Sequence, residues 1–165
     1  QDELADLDVS RDNVIRFRTF SKAYGLAGLR VGYAIGNSTL ISSFNKVRNH
    51  FGVNKIGQTA ALAALKDQEY LKKTILAVED SKLRIKSIFG EMGFSSLESR
   101  TNFVAVNMGK DASYAKKILA ELIKNKIFVR MPGVAPLNSF IRVSAGKEKD
   151  LRNLEKVMDE IMSRI

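Results

Sequence analysis

The feature that most limits what this chain can fold into is a helical stripe too long for one small domain. Asn54 is a helix-capping residue type. After it come small apolar residues Ala60, Ala61, Ala64 and Leu65, then Leu71, Ile75, Val78, Ile85 and Phe89 at helical spacing, until Gly90 and Gly93 end the pattern. A helix of about 30 residues is near 45 Å long at a rise of about 1.5 Å per residue, more than the width of a small domain. Such a helix bridges two lobes. The expected organisation is therefore a first domain over residues 1–50, an interdomain helix over 51–91 and a small C-terminal domain over 92–165.

The segments on either side carry strand signals. Residues 14–20 alternate apolar and polar side chains and are rich in β-formers, so they read as a strand that delivers Ser21 and Lys22 at its C-terminal end. Gly25 and Gly28 break the chain. Residues 29–35 read as a second strand, and Ser38 as the cap of a short helix running to about Val47. Beyond Gly93 the pattern predicts a strand over 102–107, a helix over 113–125, a strand over 127–131, a turn at Pro132-Gly133, a strand over 140–144 and a helix from Lys147 onward. In the strand over 140–144, Ile141 and Val143 point to one face while Phe140, Arg142 and Ser144 point to the other. That places Arg142 away from the aliphatic core.

Composition removes several classes of function. The chain has 165 residues, 45% of them hydrophobic and 27% charged, enough for a real core. It has no cysteine and a single histidine, His50, so disulfides, thiolate metal sites and multi-histidine sites are excluded and no metal is expected. His50 reads as a helix-end residue without a chemical role. Apolar runs such as residues 60–65 are far shorter than the roughly 20 residues needed to span a bilayer, and a cytoplasmic location is expected. The net charge of +9 comes from lysines and arginines scattered over polar helix faces (Lys72, Lys73, Lys82, Lys86, Lys116, Lys117), which does not suggest a nucleic-acid surface.

The segment from Thr19 to Tyr33, T-F-S-K-A-Y-G-L-A-G-L-R-V-G-Y, has a lysine where a strand ends and an arginine eight residues later. Its glycines form neither a G-x-G-x-x-G nor a Walker pattern, so a nucleotide site has little support. The segment resembles the lysine motif of the class-II pyridoxal-phosphate-dependent aminotransferases of fold type I. The resemblance implies an α/β fold in which this chain supplies the end of the large domain and a small C-terminal α+β domain. It also implies that Lys22 holds pyridoxal 5'-phosphate as a Schiff base and, once freed, moves the Cα proton. Ser21, Thr19 and Arg30 would bind the cofactor phosphate, for which hydroxyls and a planar guanidinium are suited.

Residues 127–133 and 140–146 resemble the end of the histidinol-phosphate aminotransferases, in which a strand-borne arginine meets the anionic end of the substrate. Arg142 occupies that position, and Arg130 would supply a second contact. The implied function is ping-pong transamination of histidinol phosphate with 2-oxoglutarate, in histidine biosynthesis, by a homodimer. Rival readings are a threonine-phosphate decarboxylase or an aromatic or general aminotransferase of the same fold, and, in another class, a non-catalytic regulatory module. The family's ring-nitrogen aspartate and companion tyrosine are expected upstream of Gln1. On that expectation the chain is the C-terminal half of the enzyme and by itself neither binds the cofactor tightly nor turns over substrate.

Overall fold

A computed structural model describes residues 6–165. The chain divides into two compact units, the first ending at Lys73 and the second running from Thr74 to Ile165.

The first unit is built on an antiparallel pair, β1 (Ile15–Thr19) and β2 (Gly32–Gly36), in register from Ile15 opposite Gly36 to Thr19 opposite Gly32. Gly32 is required there: a Cβ would stand 2.7 Å from the Arg18 carbonyl oxygen. The expected second strand starts later than its composition suggests. Ala27–Leu29 is a turn of 3-10 helix, and Arg30 takes a left-handed conformation with φ 56 and ψ 48, so extended pairing resumes only at Gly32. A short helix α1 (Ser38–Ser42) follows, continued as 3-10 helix over Ser43–Lys46. Its cap is Asn37 rather than Ser38, because the Asn37 side chain accepts from the Thr39 N–H at 2.9 Å. His50 lies in a turn beyond it.

The long helical stripe forms two helices, not one. α2 (Lys55–Lys66) and α3 (Gln68–Glu91) are separated by Asp67, whose backbone leaves the helical region at φ -90 and ψ 70. The Asp67 carboxylate accepts the Tyr70 N–H at 3.0 Å, starting the new helix in the same step that ends the old one. No glycine or proline marks the break. The signs are an aspartate in a polar stretch and the six-residue step from Leu65 to Leu71, which departs from helical spacing. Losing an N-cap costs about 1 kcal/mol, so Asp67→Ala is expected to lower stability by about that amount in urea unfolding, with little change in the transition's slope.

The second unit packs the C-terminal part of α3, α4 (Ala112–Lys124) and α5 (Glu148–Met162) around an antiparallel sheet ordered β3 (Ser95–Ser96), β4 (Phe103–Asn107), β5 (Phe140–Ser144). Ile85, Ile88 and Phe89 of α3 are fully buried with Val104, Val106, Ile118, Leu122 and Met158. Each fully buried side chain of this kind contributes roughly 1.5–3 kcal/mol. The expected strand over 127–131 is reduced to one rung, an antiparallel bridge between Arg130 and Arg142. Two features shorten it. Lys126 takes a left-handed conformation with φ 62 after α4, and Pro132 has no N–H to extend a ladder.

Candidate active site

β1 carries Thr19 to its C-terminal end, and the chain then turns sharply through Ser21, Lys22, Ala23 and Tyr24. The Gly25 N–H returns to the Lys22 carbonyl at 2.8 Å, and the Leu26 N–H to the Phe20 carbonyl at 2.9 Å. Phe20 is buried with Val31 and Ala61, and its ring lies 4.9 Å from that of Tyr24. An apolar anchor thus holds the turn from beneath while the Lys22 side chain is exposed. The Tyr24 ring packs beside that of Phe20. Partial burial, with Tyr33 adding to it and Arg18 opposing it, holds its phenol above the ordinary value.

Thr19 and Ser21 face the same way along the extended chain. The Thr19 hydroxyl donates to the Ser21 hydroxyl at 2.9 Å, and the Ser21 N–H donates to the Thr19 oxygen at 3.1 Å. The Phe20 N–H bonds the Val31 carbonyl at 3.1 Å, so the segment bearing Ser21 and Lys22 lies beside the segment bearing Arg30. The Arg30 guanidinium donates to the Ala27 carbonyl at 2.8 Å and is otherwise exposed. One amine, two hydroxyls and one guanidinium are therefore gathered on two hydrogen-bonded stretches of backbone. Hydroxyl and guanidinium donors suit a phosphate dianion, and an exposed amine suits an aldehyde carbon. The residues present fit those two requirements of pyridoxal phosphate.

Asn54 is expected from the sequence to cap a helix, in a V-N-x-x-x-Q segment that resembles one near the active site of the family. It does cap α2, its side-chain oxygen accepting the Gly57 N–H at 2.6 Å. Its amide nitrogen also donates to the Leu29 carbonyl at 3.1 Å, a contact between residues 25 positions apart that no local pattern encodes.

In the second unit Arg142 of β5 and Arg130 face each other across a single antiparallel bridge. The Arg142 N–H donates to the Arg130 carbonyl at 2.6 Å, and the Arg130 N–H to the Arg142 carbonyl at 3.3 Å. Directly opposed residues of an antiparallel pair project to the same face. Ile141, Val143 and Val129 are buried on the other side, so both arginines stand on the open face, as the alternation in β5 predicts. The Arg142 guanidinium lies 3.9 Å from the centre of the Phe103 ring, within cation-π range. Phe103, Arg142, Ser99, Arg100, Thr101 and Phe140 are among the residues lining a cleft of about 500 Å³. The flanking loop is tied down by Lys82, which is buried, pairs with Glu79 at 2.8 Å and donates to the Ser99 carbonyl at 2.9 Å.

Residues 3–158 match the family described as aminotransferase class I and II. The histidinol-phosphate aminotransferase 2 of Oceanobacillus iheyensis is 38% identical over 148 residues, covering 90% of this chain and 40% of that protein. That of Hydrogenovibrio crunogenus is 38% identical over 154 residues, covering 92% of this chain and 40% of the relative. The crystal structure of histidinol-phosphate aminotransferase from Sinorhizobium meliloti in complex with pyridoxal-5'-phosphate is similar with a TM-score of 0.89 and 49% identity, over 94% of this chain and 42% of that one. The chain thus spans about two fifths of the length of the relatives it matches. The chain belongs to the class I and II aminotransferases and has the α/β architecture of their fold type I.

Proposed function

We propose that the protein carrying this chain is a pyridoxal-phosphate-dependent aminotransferase that exchanges the amino group of histidinol phosphate with 2-oxoglutarate in histidine biosynthesis. The observation that carries the substrate class is the rung joining Arg130 to Arg142, which sets two guanidinium-bearing residues on one open face of the sheet. A pair of that kind suits a phosphate dianion better than a single carboxylate. The names of the relatives at 38% to 49% identity support the same substrate.

Each unit has its own role in this reading. In the first, Thr19, Ser21 and Arg30 hold the cofactor phosphate, and the Lys22 amine holds the cofactor and carries the proton at the substrate Cα. When bound, pyridoxal phosphate supplies an electron sink that acidifies that Cα–H bond. In the second, Arg142, steadied on the Phe103 ring, and Arg130 bind the anionic end of the amine substrate. Arg142 also accepts the 2-oxo acid carboxylate in the returning half-reaction, since a guanidinium fork serves both anions. A cytoplasmic homodimer completes the reading.

The test is product analysis with the protein at its full natural length. Glutamate formed from 2-oxoglutarate only when histidinol phosphate is present is the expected result. Carbon dioxide release from threonine phosphate would instead identify a decarboxylase. Preference for aromatic or other unphosphorylated amino acids would identify a different aminotransferase, and no reaction with any amine a regulatory module.

A further inference from the structure

We infer that Asn54 is a positioning residue for Arg30, and so for recognition of the cofactor phosphate, an assignment that rests on the reading of Arg30 as the phosphate-binding arginine. Arg30 occupies a left-handed backbone conformation, φ 56 and ψ 48, that a residue bearing a Cβ adopts only when its surroundings impose it. Those surroundings can be named. The peptide entering Arg30 carries the Leu29 carbonyl, which accepts from the Asn54 side-chain amide at 3.1 Å. Beyond it, the Val31 carbonyl is held by the Phe20 N–H at 3.1 Å. Arg30 is thereby held between two fixed points, one from the start of α2 and one from the end of β1.

The contact at α2 is close as well as polar. A Cβ at Gly57 would lie 2.7 Å from Val31 Cγ2, so the helix start presses directly on the residue after Arg30. Asn54 links both sides with one side chain. Its oxygen accepts the Gly57 N–H at 2.6 Å while its nitrogen reaches the Leu29 carbonyl. Serine and aspartate can cap a helix equally well, but neither offers a donor at that reach. The choice of asparagine follows from the second bond. That bond sets the backbone from which the guanidinium is projected.

Asn54→Ser separates the two roles, because it keeps a capping hydroxyl and removes the link to Leu29 without adding charge. The measurement is the dissociation constant of the full-length protein for pyridoxal phosphate and for pyridoxal, which lacks the phosphate, each by spectroscopic titration. Asn54→Ser is expected to weaken pyridoxal phosphate about tenfold, the scale of one well-placed hydrogen bond, and pyridoxal by less than about twofold. Gly57→Ala, which displaces Val31, should weaken the phosphate form selectively in the same way. Equal losses for both ligands would reduce Asn54 to a general structural residue and overturn the inference, and so would no loss for either.

Arg30→Ala keeps the two readings apart. If it lowers affinity equally for both ligands, the phosphate role of Arg30 falls. If it is selective while Asn54→Ser is not, only the positioning role falls. In the Arg30→Ala background Asn54→Ser should add nothing further, and a full additional loss would overturn the coupling.

Discussion

Replacing Lys22 with alanine is expected to lower turnover by at least about a thousandfold while leaving the fold intact. The side chain is exposed at the end of its turn and contributes nothing to the buried cluster of Phe20, Val31 and Ala61 beneath it, so its removal leaves no cavity. On the proposed function, what disappears is the amine that would hold the cofactor and carry the Cα proton, and proton transfer by a positioned side chain alone accounts for about 10²–10⁴-fold. Two measurements check this. Single-turnover kinetics should lose the proton-transfer step, and borohydride reduction should fix the cofactor to Lys22 of the parent chain, identified by mass spectrometry, but not to the variant. A variant within tenfold of the parent would remove Lys22 from the chemistry.

Arg142→Ala carries the second large effect. Its guanidinium stands on the open face of β5, where two charge-assisted hydrogen bonds to the anionic end of a substrate would each contribute roughly 1.5–3 kcal/mol. Since about 1.4 kcal/mol is a factor of ten, kcat/KM for histidinol phosphate should fall by about 100-fold or more. Arg142→Lys should recover only part of this, because an ammonium keeps the charge without the planar fork or the stacking on Phe103. The half-reaction with 2-oxoglutarate should suffer alongside, since on the proposed function the same group would receive its carboxylate. Pre-steady-state measurement of each half-reaction separates the two losses. An Arg142→Ala variant within about threefold for both would place anion recognition elsewhere.

Much of this candidate site was legible in the chain because its parts lie close together in sequence. Thr19, Ser21, Lys22 and Arg30 fall within twelve residues, and the strand before them shows its period in its own side chains. The face on which Arg142 stands was equally legible, since alternation in β5 needs only its neighbours Ile141 and Val143. Other features depend on partners that periodicity does not register. Residues 127–131 have strand-like composition, yet a strand is made by its ladder, and here only Arg130 finds one. Asp67 lies in the six-residue step from Leu65 to Leu71, which departs from the helical spacing on either side of it, and its carboxylate competes for the backbone there.

Residue type and short-range spacing were enough for the family, and they marked the amine, the hydroxyls and the strand arginine as candidates for its site. The tertiary structure alone decided how Arg30 is held and that Arg130 stands opposite Arg142. A left-handed arginine needs an outside partner to sustain it, and Asn54 supplies that partner from the start of another helix. The pairing of two arginines likewise exists only once β5 has a neighbour on its second edge. Both are long-range hydrogen bonds, whose geometry is settled by packing rather than by local preference.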